Sequence, residues 1–142
     1  MKFKKTFITI LVFALAFTTF NAQESKAKIK EIAAQFVKGA DIQDATLLQK
    51  VLEPNSIQYV LMGGKFNIFT ANQYITMVEE KKLGGKPRKI TFKHAEFLSK
   101  NLAVVVLNAV SSEYDFLYQI SLGISNNDKW KIIGVSTEIN GI

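Results

Sequence analysis

Residues 23–142 predict an α+β domain, with three helices packed on one face of an antiparallel sheet. Apolar residues recur at helical spacing early in the chain, and the period switches to two near residue 57. Four long candidate strands then follow one another from residue 89 onward, joined by links of a few residues. Short links favour antiparallel neighbours, and helices early with strands late argue against interleaved parallel βαβ units.

The first helix is expected over residues 25–40. Ile29, Ile32, Ala33, Phe36, Val37 and Ala40 form its apolar stripe, while Lys28, Lys30, Glu31, Gln35 and Lys38 take the other face and Ser25 can cap its start. A second, short helix has Asp44 as its cap and Leu47, Leu48, Val51 and Leu52 as its buried side. Pro54 stops it by pushing Glu53 out of helical geometry.

Residues 57–62 and 65–69 read as a hairpin, because Gly63-Gly64 supplies the positive φ angles of a tight two-residue turn. Thr70 followed by Gln73 is a capping box. It opens a third helix through about Lys82, with Tyr74, Ile75 and Val78 as its apolar positions. Next comes a basic stretch, Lys81, Lys82, Lys86, Arg88, Lys89 and Lys93, interrupted by Gly84-Gly85 and Pro87. It reads as a turn of solvated charges, with an anion-binding rim as the sharper alternative. From Lys81 to Lys89 no aromatic residue lies between its charges, which argues against stacking of single-stranded nucleic acid.

Strands are expected over 89–99, 102–111, 114–125 and 129–138. In the third of these, Tyr114, Phe116, Tyr118, Ile120, Leu122 and Ile124 share a face opposite Asp115, Gln119, Ser121 and Ser125. The segment 102–111 is apolar on both faces, with Ala103, Val105, Leu107 and Ala109 opposite Leu102, Val104, Val106 and Val110. Helices cover one side of such a strand, so a second protomer is expected on the other, giving a homodimer through the sheet.

Lys2, Lys4 and Lys5 precede an uncharged apolar run from Phe7 to Phe20, followed by Asn21-Ala22-Gln23. This pattern predicts a secretory signal peptide over residues 1–22, cleaved after Ala22, and a protein of the periplasm or extracellular space. The run has 14 residues, short of the roughly 20 a membrane-spanning helix needs. No membrane association is expected once it is removed. An uncleaved signal anchor is the competing reading, because Phe20 stands where a small residue is preferred.

Three of the 18 basic residues belong to that segment, leaving 15 against 12 acidic ones, a net charge of +3 that does not suggest a nucleic-acid partner. The chain has no cysteine, which excludes disulfides, thiolate metal sites, cysteine nucleophiles and a lipoprotein anchor. The remaining length suits one domain, held together by its core alone.

The order of elements resembles the NTF2-like superfamily of cone-shaped α+β domains. The matching pieces are the helix end Gly39-Ala40-Asp41, the step Leu52-Glu53-Pro54-Asn55-Ser56 and the ending Asp128-Lys129-Trp130-Lys131-Ile132-Ile133. Within that superfamily the chain is most similar to small exported bacterial members of the SnoaL-like and lumazine-binding types. Many relatives carry a histidine at the step where this chain has Glu53. The resemblance implies a curved antiparallel sheet and three helices enclosing a conical pocket. Some relatives bind ligands, some are isomerases, dehydratases or cyclases, and many only dimerise.

Acid–base catalysis in such a pocket needs a carboxylate or histidine base in a dry cavity, with a hydrogen-bond donor opposite. His94 is the only histidine, so a metal site of several histidines is excluded. Strict alternation places it on one face with Ile90, Phe92 and Glu96. Asp41, at the end of the first helix, is the other candidate base, although Asp at such a position often bonds local backbone. No catalytic residue is assigned to either. Tyr59, Tyr74, Tyr114 and Tyr118 can donate hydrogen bonds or simply pack. With Phe36, Phe92 and Trp130 they form the expected ligand-binding set.

No phosphate loop, dinucleotide fingerprint or nucleophile elbow occurs, and no cofactor is expected. The leading expectation is an exported, dimeric, non-enzymatic domain that binds a small apolar or aromatic ligand in its pocket. Its competitors are a pocket enzyme of isomerase, dehydratase or cyclase type using Asp41 or His94 as base, and a pure protein-interaction module.

Overall fold

A computed structural model describes residues 25–142, and the expected signal segment lies outside them. Helix α1 covers residues 25–41. It is followed by α2 (Ala45–Val51), β1 (Leu52–Met62), β2 (Lys65–Thr70), α3 (Ala71–Glu79), β3 (Lys89–Phe97), β4 (Leu102–Val110), β5 (Tyr114–Ile124) and β6 (Trp130–Gly141). The helices lie on one face of a six-stranded sheet of order β2-β1-β6-β5-β4-β3.

Local chemistry accounts for the element boundaries. Asp44 accepts from the Leu47 N–H and caps α2. Thr70 and Gln73 form both halves of a capping box at the start of α3. That helix ends at Glu79, short of the expected Lys82, because Lys81 adopts a left-handed conformation (φ 58°) and turns the chain away. Gly63 and Gly64, at φ 57° and 74°, make the β1–β2 turn that pairs Met62 with Lys65.

Strands β3 to β6 form an antiparallel meander. The sheet is mostly antiparallel, and the exception joins its halves: β1 lies parallel to β6, pairing Gln58 with Val135 and Val60 with Thr137. The register slips between Leu52 and Ile57, where Pro54, which has no N–H to give, sits in the irregular stretch.

The core lies between α1 and the inner sheet face. Ile29, Ile32, Ala33, Phe36, Val37 and Ala40 of α1 belong to one buried cluster with Val105 and Leu107 of β4, Ile120 and Leu122 of β5, and Ile132 of β6. On β4 the inner residues Ala103, Val105, Leu107 and Ala109 are fully buried, while Leu102 and Val110 on the outer face are 37% exposed. No described helix is long and apolar enough to cross a membrane.

Candidate functional site

The core does not fill the space between α1, α3 and the inner face of β1, β2, β5 and β6. A cavity of about 480 Å³ remains there. Alternation along β5 sends Tyr114, Phe116 and Tyr118 to its wall. Phe116 and Tyr118 stack with centroids 6.0 Å apart and planes 5° from parallel. Phe36 of α1 meets Tyr118 edge-on at 5.9 Å and stacks on Tyr74 of α3 at 5.5 Å. Val60, Met62, Phe69 and Ile139 complete an apolar lining.

Polar residues also enter this lining, Asn67 of β2 and Thr137 of β6 among them, and two places bear on its chemistry. At the first, Arg88 reaches in from the segment after α3. Its Nε donates to Asp41 Oδ1 at 2.6 Å, its backbone N–H to Asp41 Oδ2 at 3.1 Å, one terminal nitrogen to the Tyr118 hydroxyl at 2.5 Å and the other to the Val37 carbonyl at 3.2 Å. The guanidinium also lies 4.6 Å from the centre of the Phe116 ring. Arginine's planar fork is what allows one side chain to meet these partners together.

The backbone holds Arg88 there. Gly84, at φ 81°, passes so close to α1 that a Cβ would stand 2.0 Å from the Ala40 carbonyl oxygen. The Gly85 N–H donates to that oxygen at 3.0 Å, and Gln43 Nε2 donates to the Leu83 carbonyl at 3.2 Å. Lys86 pairs with Glu113 across the rim at 2.6 Å.

At the second place, Gln58 of β1 lines the cavity with 2% of its surface exposed, and neither its Oε1 nor its Nε2 has a hydrogen-bond partner. Ser56 Oγ, two residues earlier on the same strand, is likewise unpartnered but does not line the cavity.

Burial pushes the Tyr74 phenol well above its ordinary value of 10.0, reinforced by Tyr118 and Asp41 and opposed by Arg88. Burial also raises Tyr118, against the charge and hydrogen bond of Arg88. Arg88 feels burial in the opposite sense, but Tyr118 and Asp41 more than offset it and the guanidinium stays protonated. Both tyrosines are therefore neutral hydroxyls at physiological pH. The Asp41 carboxylate has both oxygens engaged by Arg88, which leaves it little scope as a base.

The structure brings Phe36, Asp41, Tyr74, Tyr114 and Tyr118 together at the cavity and places the other sequence candidates elsewhere. Tyr59 is on the outer sheet face, 46% exposed, in a shallow groove with Leu61, Phe66 and Leu117. Phe92 is on the inner face but outside the cavity, with Lys30 Nζ 5.6 Å from its ring centre. Trp130 packs against Phe97 at 5.6 Å and borders a separate groove near the start of α1.

The expected face of His94 is corrected. The β3–β4 register pairs Phe92 with Leu107 and then His94 with Val106, so Lys93 is an extra residue that reverses the alternation. His94 points outward, exposed, 2.9 Å from Glu96. Among the described residues no cluster of three or more His, Cys, Asp or Glu side chains could hold a metal ion.

Arg88 and Gln58 are the cavity residues the sequence reading missed. For Arg88 a signal existed: it is the one arginine among 18 basic residues, and arginine is the cation suited to burial. For Gln58 the signal was slight, a single polar residue within the apolar run from Ile57 to Met62.

Residues 24–136 match the family described as "Putative lumazine-binding". The chain belongs to this family. The solved structures it is similar to are NTF2-like. An NTF-2 like protein of unknown function from Silicibacter pomeroyi DSS-3 is 12% identical, with 84% of this chain and 98% of that one aligned at a TM-score of 0.73. A protein of the same description from Shewanella baltica OS155 is 14% identical, covering 84% and 95% at 0.71. A ketosteroid isomerase-like protein from Erwinia carotovora atroseptica is 12% identical, covering 82% and 96% at 0.66. At such identities the likeness is one of fold. No curated protein matches significantly. For this chain the fold is thus the NTF2-like α+β cone, with three helices on a curved, mostly antiparallel sheet.

Proposed function

We propose that this is an exported, non-enzymatic protein that holds a small, flat, largely apolar molecule in the cavity and dimerises through its outer sheet face. The observation that carries the binding reading is the cavity itself. Its aromatic walls suit a planar ligand of modest size, and its one buried carboxylate is already held by an arginine. The family description, which names lumazine, a flat bicyclic heterocycle, supports the same class of ligand. Turnover of isomerase or dehydratase type is disfavoured because Asp41 is engaged and His94 lies on the far face of the sheet.

Export is supported by the lysines and the apolar run that open the chain. Dimerisation is supported by the outer face, where Tyr59, Phe66 and Ile68 are 46%, 71% and 60% exposed. The test is native mass spectrometry of the protein recovered from its host's exported fraction. A dimer of chains beginning at Gln23, carrying an extra small mass, is the expected result. An empty dimer would shift the reading to an interaction module, and a monomer would remove the sheet interface.

A further inference from the structure

We infer that the ligand is an aryl carboxylate, with its ring body inside the cavity and its single negative charge at the mouth beside Lys82. The inference rests on the cavity being a binding site and adds the charge of what binds there and the residue that meets it. The charges of the cavity wall do not balance. Of the six cations in the basic stretch 81–93, Lys82, Lys86 and Arg88 reach the lining, where the described residues supply two carboxylates, Asp41 and Glu113. Asp41 is taken by Arg88 and Glu113 by Lys86. Lys82 pairs with Glu80, which stands outside the lining, so the wall itself holds one cation in excess.

The three cations differ in place. Arg88 is held in the wall by its bonds to Asp41, Tyr118 and the Val37 carbonyl. The Lys82 and Lys86 side chains are 68% and 58% exposed, so they stand in water at the mouth, on flexible stems that can turn toward an incoming charge. Deeper in, Phe36, Phe69 and Ile139 offer a carboxylate no partner, and burying an unpaired charge there is costly. A molecule with an apolar body and one terminal anion suits both parts. Its rings lie against the stacked faces of Phe116 and Tyr118, and its head stays in the wet, positive mouth. An ammonium head would meet Lys82 and Lys86 as like charges, and a neutral head would gain nothing from them. The pair that Glu80 makes with Lys82 is exposed and weak, so exchanging it for a ligand carboxylate costs little.

The test compares three probes with one two-ring body by calorimetric titration at neutral pH: 2-naphthoate, the uncharged 2-naphthamide and the cationic 2-naphthylmethylammonium. With the wild-type protein in low salt, 2-naphthoate is expected to bind about five-fold more tightly than 2-naphthamide, and the ammonium more weakly than either. The preference should shrink as salt is raised, because the charges that cause it are exposed. Lys82→Gln should abolish it, and Glu113→Gln, which releases Lys86, should enlarge it. Both side chains are exposed, so thermal unfolding should be unchanged in these variants and checks their folding. Equal binding of 2-naphthoate and 2-naphthamide to the wild type, or a preference that survives Lys82→Gln, would overturn the role of Lys82 and leave the cavity as an apolar binding site. Binding of none of the three would overturn both readings.

Discussion

Arg88 Nε lies 2.6 Å from Asp41 Oδ1, an ion pair across 47 residues of sequence in which the side chains are only 6% and 11% exposed. It ties the end of α1 to the segment leading into β3, and through the Tyr118 hydroxyl it reaches β5. Breaking a buried pair from one side strands the other charge. Arg88→Leu and Asp41→Leu should each cost about 3–5 kcal/mol in urea unfolding, and the double variant much less than the sum. Arg88→Lys should rescue little, since an ammonium cannot reproduce the fork. Additive effects would show that the pair is not coupled.

Alkaline pH should unfold the protein through its buried phenols. The folded-state values of Tyr74 and Tyr118 lie above the ordinary 10.0, so the folded chain keeps protons that the unfolded chain releases. The stability this reflects is intact below about pH 10 and falls as pH rises beyond it. Tyrosinate absorbance from these two residues should appear together with loss of secondary structure in circular dichroism. Early, reversible ionisation of Tyr118 in the Tyr74→Phe variant, with the fold intact, would contradict this.

Gly84→Ala should be among the most damaging single changes outside the core. The position has φ 81°, and the new Cβ would meet the Ala40 carbonyl oxygen at 2.0 Å. The backbone conformation alone costs about 1–3 kcal/mol for a non-glycine residue, and the clash would lift the loop that carries Arg88. Urea unfolding measures the loss. Gly63→Ala, where nothing lies within 4 Å, should show the conformational cost alone.

Without ligand, Gln58→Leu should unfold at the same temperature as the wild type or higher. An unpartnered buried amide is replaced by an apolar side chain of similar size, which removes a desolvation penalty of about 1–3 kcal/mol. A marked loss of stability would mean that the amide is bonded in the free protein.

The outer sheet face offers a separate test of the proposed dimer. Phe66→Lys places a charge on the most exposed aromatic residue there, 71% accessible, and should leave the fold intact while yielding monomers in light scattering. A dimer that survives Phe66→Lys combined with Tyr59→Lys would place the interface elsewhere.

Most of the architecture was legible in short stretches of sequence. The α1 stripe, the Thr70–Gln73 capping box, the Gly63-Gly64 turn and the alternation along β5 are local patterns whose causes lie within a few residues. They determine that this chain forms three helices and long antiparallel strands, and that Tyr114, Phe116 and Tyr118 share a face. Alternation, however, counts residues, and one inserted residue defeats it. The extra Lys93 in β3 sent His94 to the opposite face from the one its spacing implied. Only the tertiary structure decided that β6 returns beside β1 in parallel, that a basic turn delivers its one arginine to Asp41, and that Gln58 is enclosed with its amide unpartnered. These outcomes depend on contacts between residues dozens of positions apart, where burial and charge are properties of the assembled surfaces.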